Sequence, residues 1–350
     1  MISSPMGMTS GRLTSIGRNR PKAETRAQRA ATPKQSSTLI VFPVVGVQSA
    51  LLAAICSNPQ PSTEEMQMFT EYKRSDAQIQ DAVKALFLGL APEKSDDLER
   101  LWENYQLQFC LFTDEKGVML EGGAYRYVHF NHCALRVIWV SAFAAWEAYA
   151  CAQSAFGDGE LRSFDRLQEL LALALEIRDA KDPGSVPLGG LPEPGSIPSD
   201  LELRAPAELA MFAAGWAMLH EVRHLKHQQD FTATGDGDAP ELARAEELSC
   251  DRFAADYLIA TAAHYASAHA VDEAKIRMKR ALGVYFGAFA LIVLGHPNWE
   301  ETESHPSVSD RLREIRSVLS AGRLDEALCV AGLALVGLKQ IWADAPDFAS

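Results

Sequence analysis

One stretch narrows the possible folds more than any other. From Ala205 to Leu219 the chain reads APAELAMFAAGWAML, almost wholly apolar, and runs directly into His220, Glu221, Val222, Arg223 and His224. Pro206 suits the opening turn of a helix, and the apolar residues continue to about His227, so the spacing predicts a helix over that range. A helix apolar on most sides is a buried helix. Residues four apart project from one face about one turn from each other, which places the two imidazoles side by side. Buried imidazoles beside a glutamate need a partner to offset desolvation, and a metal ion is the strongest available. Both ring nitrogens could reach one zinc ion at about 2.0–2.1 Å. Glu221, next to the first histidine, would lean toward the open metal position and take a proton from bound water. Taken alone, the motif also fits two surface histidines beside a solvated glutamate, so a third ligand is the deciding feature.

Three residues compete for that place. Glu247, in EELSCD, follows His224 after an intervening loop and lies four residues before Asp251. On a helix both share a face, so Glu247 can bind the metal while Asp251 accepts the outer N–H of a ligand histidine, assigned here to His220. Cys250 and Ala254 are small and would let this helix approach the histidine helix closely. Glu246 is set aside because its i+4 residue, Cys250, offers no such acceptor. Asp230 stands where some zinc peptidases supply a third ligand, but the turn there needs glycine and the chain has His227. His227 itself would lie about 4.5 Å further along the helix axis, past the ion. Further on, His305 precedes Pro306 and Arg311, at what reads as the start of another helix. His305 or Arg311 could stabilise the oxyanion of a tetrahedral intermediate. A simple His-Pro turn with a solvated arginine is the plainer alternative.

Charge excludes one large class of partner. The 350 residues carry a net −13, and residues 1–37 hold seven basic side chains against the single Glu24, leaving −19 on the rest. A body this acidic repels phosphate backbones, so nucleic-acid binding is not expected. The six cysteines form no C-x-x-C pair and sit in apolar stretches, as free thiols of a reducing compartment do.

Residues 1–37 read as a disordered basic tail. Leu39 to Cys56 is apolar apart from Gln48 and Ser49, which fits either a membrane or signal segment or a buried strand leading into a helix. Pro43, Gly46 and the overlong basic region favour the strand. The interval 38–200 is expected to be mostly helical, with a β-hairpin near 117–130 around Gly122 and Gly123, whose Tyr125 and Tyr127 edge could pair with a peptide backbone. Helices are expected over Ala134–Phe156 and Glu160–Ala180. Pro183–Ser199 holds five prolines and four glycines and reads as a long surface loop bordering the cleft, as does Phe231–Pro240. Residues 201–350 are expected to form a helical catalytic core. It would hold one helix from Asp238 to about His269 and further helices over Asp272–Leu294, Pro306–Leu319 and Leu324–Ala343. The run Ala281–Gly295 is short for a membrane span and reads as a core helix.

The set His220–His224, Glu247–Asp251 and His305–Arg311 resembles the gluzincin metallopeptidases. LHEVRHLKH and EELSCDRFAADYL look most like the Lit family of bacterial phage-exclusion peptidases. The His-Pro-x4-Arg element is also similar to the membrane-bound prenyl-protease and heat-shock peptidase family. The resemblance spans about residues 205–320. It implies a mainly α fold with a small β element and a zincin-like core, and one zinc ion per chain on His220, His224 and Glu247. Glu221 would be the general base and Asp251 an orienting carboxylate. It also implies a protein substrate, which for the Lit family is translation elongation factor Tu. The expected location is the cytoplasm, with membrane association through 39–56 as the alternative. A non-catalytic metal-binding regulator and a membrane-tethered gluzincin are the rival functions.

Overall fold

The computed structural model describes residues 76–105, 118, 120–123, 127–156, 161–235, 237–320 and 324–348. The basic tail, the apolar segment 39–56, Tyr125 and Arg126 lie outside the described residues, as does the side chain of Tyr127.

The elements in chain order are α1 (Asp76–Gly89), α2 (Ser95–Tyr105), β1 (Leu120–Gly123), β2 (Tyr127–Phe130), α3 (His132–Phe156), α4 (Asp165–Asp179) and α5 (Leu201–Gln229). They continue with α6 (Pro240–Ile259), α7 (Ala262–His269), α8 (Glu273–Gly295), α9 (Val308–Ser320) and α10 (Asp325–Lys339). The described chain is mainly helical, with one antiparallel hairpin pairing Leu120 with Phe130 and Gly122 with Val128.

Three long apolar helices form the core. α3 is buried over most of its length and packs against α4, α5, α8 and α10, while α5 packs against α3, α6 and α8. Side-chain size sets how close they come. A Cβ on Gly283 would sit 2.1 Å from Phe212 Cβ, and one on Gly287 would sit 2.6 Å from the Trp216 ring, so α8 lies against α5 only because these positions are bare. α8 is long and apolar enough to cross a membrane, yet its apolar window is 78% buried in the protein, as a core helix is.

Several boundaries differ from expectation, each for a local reason. α5 starts at Leu201 because the Asp200 side chain accepts the Glu202 N–H, which places Pro206 inside the first turns. The helix expected to reach His269 ends at Ile259, and the separate α7 follows Thr261. α9 begins at Val308 rather than Pro306, where the Ser307 hydroxyl takes the Asp310 N–H at 3.1 Å.

Pro183–Ser199 does not border the cleft. Leu188 and Leu191 are buried, Arg136 Nη2 donates to Val186 O at 2.6 Å, and Trp139 Nε1 donates to Pro192 O at 2.8 Å. Its apolar residues turn inward, so it is strapped onto α3.

Candidate metal centre

α5 and α6 cross so that the His220–His224 turn of one faces the Glu246–Asp251 turn of the other. Cys250 and Ala254 are wholly buried at this contact, and small side chains there permit the close approach. The site rests on Trp216, 2% exposed, one turn before His220.

Both histidines are held from behind by carboxylates. His220 Nδ1–H donates to Asp251 Oδ1 at 2.9 Å, and His224 Nδ1–H donates to Glu246 Oε1 at 2.9 Å. That leaves the lone pair of each ring on Nε2. The two Nε2 atoms lie 3.2 Å apart, and Glu247 presents Oε2 at 3.3 Å from the first and Oε1 at 3.1 Å from the second. Ligand atoms at roughly 2.0–2.1 Å from a tetrahedral zinc ion lie about 3.3–3.4 Å from one another. The two imidazole nitrogens and the Glu247 carboxylate, which turns one oxygen to each of them, are therefore spaced as the donors around such an ion are. Lone pairs from three side chains this close and this buried repel unless a cation or a proton sits among them, so the donor set fits a metal.

The same crowding appears in the protonation behaviour of the metal-free chain. Burial opposes a charge on His220, but the hydrogen bond and charge of Asp251, with Glu247, outweigh it and push the pKa up to about 10. His224 is raised against burial by Glu247. Glu247 is driven well below the usual carboxylate range because its bonds to both histidines overcome its own burial. A proton shared among these groups would compete with a metal ion for the same lone pairs.

Arg311 has a second attachment in the structure, to Asp251. Its Nε donates to Asp251 Oδ2 and its Nη2 to Asp251 Oδ1, each at 2.7 Å. A guanidinium committed this way holds Asp251, which is wholly buried, and through it the His220 ring, while the side chain also lines the cleft over the site. His305 is different: it is exposed, with Nε2 3.7 Å from Glu247 Oε1 and Nδ1 bonded to Ser304 Oγ at 2.8 Å. Its ring stands at the mouth of the site.

Cys250 Sγ lies within 4.8 Å of the histidine ligand atoms. Burial and the surrounding carboxylates, Glu247 first, raise its thiol pKa strongly and keep it protonated. Cys250 is a second metal-capable side chain beside the two imidazoles, whereas Glu247 already meets both of them at 3.1 and 3.3 Å. Asp230 caps the C-terminus of α5, whose backbone stays helical past His227, so the early turn a ligand there would need does not form.

A cleft of about 390 Å³ opens over the site. One wall is apolar, from Trp216 and Ala217 on α5 and Leu291 and Leu294 on α8; the other is polar, from Glu121, Gly122, Gln228 and His305. Glu221 lines the floor and is 6% exposed. β1 crosses directly above it: a Cβ on Gly122 would stand 3.0 Å from Glu221 O and 3.5 Å from Glu221 Oε2. From the sequence Glu246 is set aside and Gly122 falls at the hairpin break; in the structure Gly122 lies within β1, and both residues come to the site. The signal for Glu246 is the second histidine itself, since each of two buried imidazoles needs an acceptor behind its Nδ1–H and Asp251 serves only one.

A family model described as Peptidase U49 matches residues 128–331, more than half of the chain. The chain belongs to the Peptidase U49 family. It is accordingly a peptidase, a hydrolase acting on proteins or peptides, and the matched span carries α5, α6 and α9, the helices that build the site just described. No curated protein and no solved structure matches the chain.

Proposed function

We propose that this U49 peptidase is a zinc-dependent endopeptidase of the gluzincin type, with His220, His224 and Glu247 as the metal ligands. The observation that carries the reading is the approach of the two Nε2 atoms to 3.2 Å, with the Glu247 carboxylate placing Oε2 3.3 Å from one and Oε1 3.1 Å from the other, and each imidazole backed by its own carboxylate. Zinc bound there would lower the pKa of a bound water toward about 7 and polarise the scissile carbonyl. Glu221, on the cleft floor beside both histidines, receives the proton of the attacking water and passes it to the leaving amide nitrogen. Asp251 and Arg311 keep the His220 ring in the tautomer that leaves Nε2 free. His305, at the mouth, is the donor placed to meet the developing oxyanion. The edge of β1 above Glu221 offers an extended substrate backbone a strand to lie along.

The biological reading is a Lit-like phage-exclusion peptidase acting in the cytoplasm on a protein of the translation machinery, with elongation factor Tu the first substrate to test. It rests on the ordered set of motifs and on the family. The deciding experiment is Glu221→Gln. Metal analysis should find one zinc per chain in both wild type and variant, while cleavage, followed by mass spectrometry of new N-termini in a bacterial lysate, should fall by about 10²–10⁴-fold. A variant that cleaves as fast as wild type would remove Glu221 from the chemistry.

A further inference from the structure

The two ligand histidines are supported in different ways. Behind His220 stands Asp251, itself clamped by Arg311 from α9, so that support is built from helices alone. Behind His224 stands Glu246, whose second oxygen is satisfied from a loop: Thr234 N–H donates to Glu246 Oε2 at 2.6 Å. Each carboxylate oxygen of Glu246 therefore has its own donor, one at the metal site and one on the segment joining α5 to α6.

The same segment has a second anchor. His227 bonds Thr232 Oγ1 at 2.8 Å through Nδ1 and Ser249 Oγ at 2.9 Å through Nε2, and Ser249 Oγ donates in turn to Glu246 O. The loop leaves α5 in a Schellman turn, with Thr232 N–H on His227 O and Phe231 N–H on Gln228 O. Phe231 takes the left-handed position at φ 57° and is 90% exposed, so packing of its side chain contributes little to holding the turn. What holds the loop in place is its bonding to residues that surround His224.

Resting on the metal reading above, we infer that Glu246 is a positioning residue that joins the 230–239 loop to the His224 imidazole, making the order of the loop and the geometry of that ligand one cooperative unit. Coupling of this kind is reciprocal: loading the site orders the loop, and loosening the loop weakens the site.

The test uses the full chain, stripped of metal and titrated with zinc and, separately, with cobalt(II) as a spectroscopic probe. Amide exchange across 230–239 should slow when zinc is added to the wild type. Glu246→Gln keeps the size of the side chain but has one acceptor oxygen for two donors. It should lower zinc affinity about 10–100-fold, shift the visible cobalt(II) bands and release loop protection together. Thr234→Pro removes the loop N–H and leaves the Glu246–His224 bond intact; zinc affinity should still fall, about 5-fold or more. A Glu246→Gln protein with wild-type affinity and cobalt(II) spectrum overturns the proposal. So does a Thr234→Pro protein whose loop is freed while zinc binding is unmoved. A wild-type chain that takes up no zinc overturns the metal reading itself, an outcome distinct from both because it shows before any variant is made.

Discussion

Replacing Arg311 by alanine removes two 2.7 Å charge-assisted bonds from Asp251, a carboxylate with no exposure to solvent. The remaining partner at the carboxylate is His220 Nδ1 at 2.9 Å. Breaking a buried pair by deleting one partner costs about 3–5 kcal/mol, because the other charge stays buried without compensation. For a domain of this size about 2 °C of melting temperature is lost per kcal/mol, so Arg311→Ala should melt roughly 6–10 °C below wild type. Asp251 →Asn in the same chain removes the stranded charge and should recover part of that loss, giving a coupling energy well above 1 kcal/mol in the double-mutant cycle. The acid limb should move as well. Burial opposes the Asp251 charge, but Arg311 outweighs it and holds the folded pKa below the ordinary value. The group therefore contributes stability above about pH 4 that is lost as pH falls through the folded pKa, and the variant should unfold at higher pH than wild type. Calorimetry or circular dichroism against pH reads all of this. If Arg311→Ala melts with wild type while turnover falls by about 10²–10³-fold, the guanidinium serves the oxyanion and the clamp argument is wrong.

Three other outcomes follow from the same geometry. Because His220 in the metal-free chain is raised to about 10, its stabilisation is complete below about pH 6.5 and is lost as pH rises through about 10; zinc binding near pH 8 should release at least one proton, and calorimetry in buffers of different ionisation enthalpy that finds none refutes it. Gly122→Val places a branched side chain against Glu221 O and His224 Cβ, and should destabilise by about 1–3 kcal/mol and lower turnover by pushing β1 off α5; unchanged activity and melting would show that β1 does not sit against the helix. Phe231→Gly relieves a left-handed backbone at a 90% exposed side chain and should raise stability by about 1 kcal/mol, read from a denaturant midpoint; a lowered midpoint would mean that the ring packs against something.

How much of the site could be read in advance differed residue by residue. His220 and His224 share a helix one turn apart, and Glu247 and Asp251 share another, so their faces follow from helical periodicity alone. Arg311 could be placed near the site but its direction could not, because the Asp251 bond depends on how α9 crosses α6. Glu246 was passed over by a rule that looked four residues ahead along its own helix, whereas its partner is His224 on a different helix. Pro183–Ser199 shows the limit of composition: prolines and glycines mark it correctly as irregular, but the burial of Leu188 and Leu191 decides which face it covers.

By itself the chain determined its helical character, the buried alanine-rich helix carrying the paired histidines, and the net acidic charge of the body. These are local or summed properties, set by side-chain spacing and by total charge. Only the tertiary structure decided the three-way approach of Nε2, Nε2 and carboxylate, the Arg311–Asp251 clamp, the loop tie through Glu246 and the strand laid over Glu221. Each of these depends on distances between elements far apart in sequence, and bare positions such as Gly122, Gly283 and Gly287 set those distances by what they allow to come close.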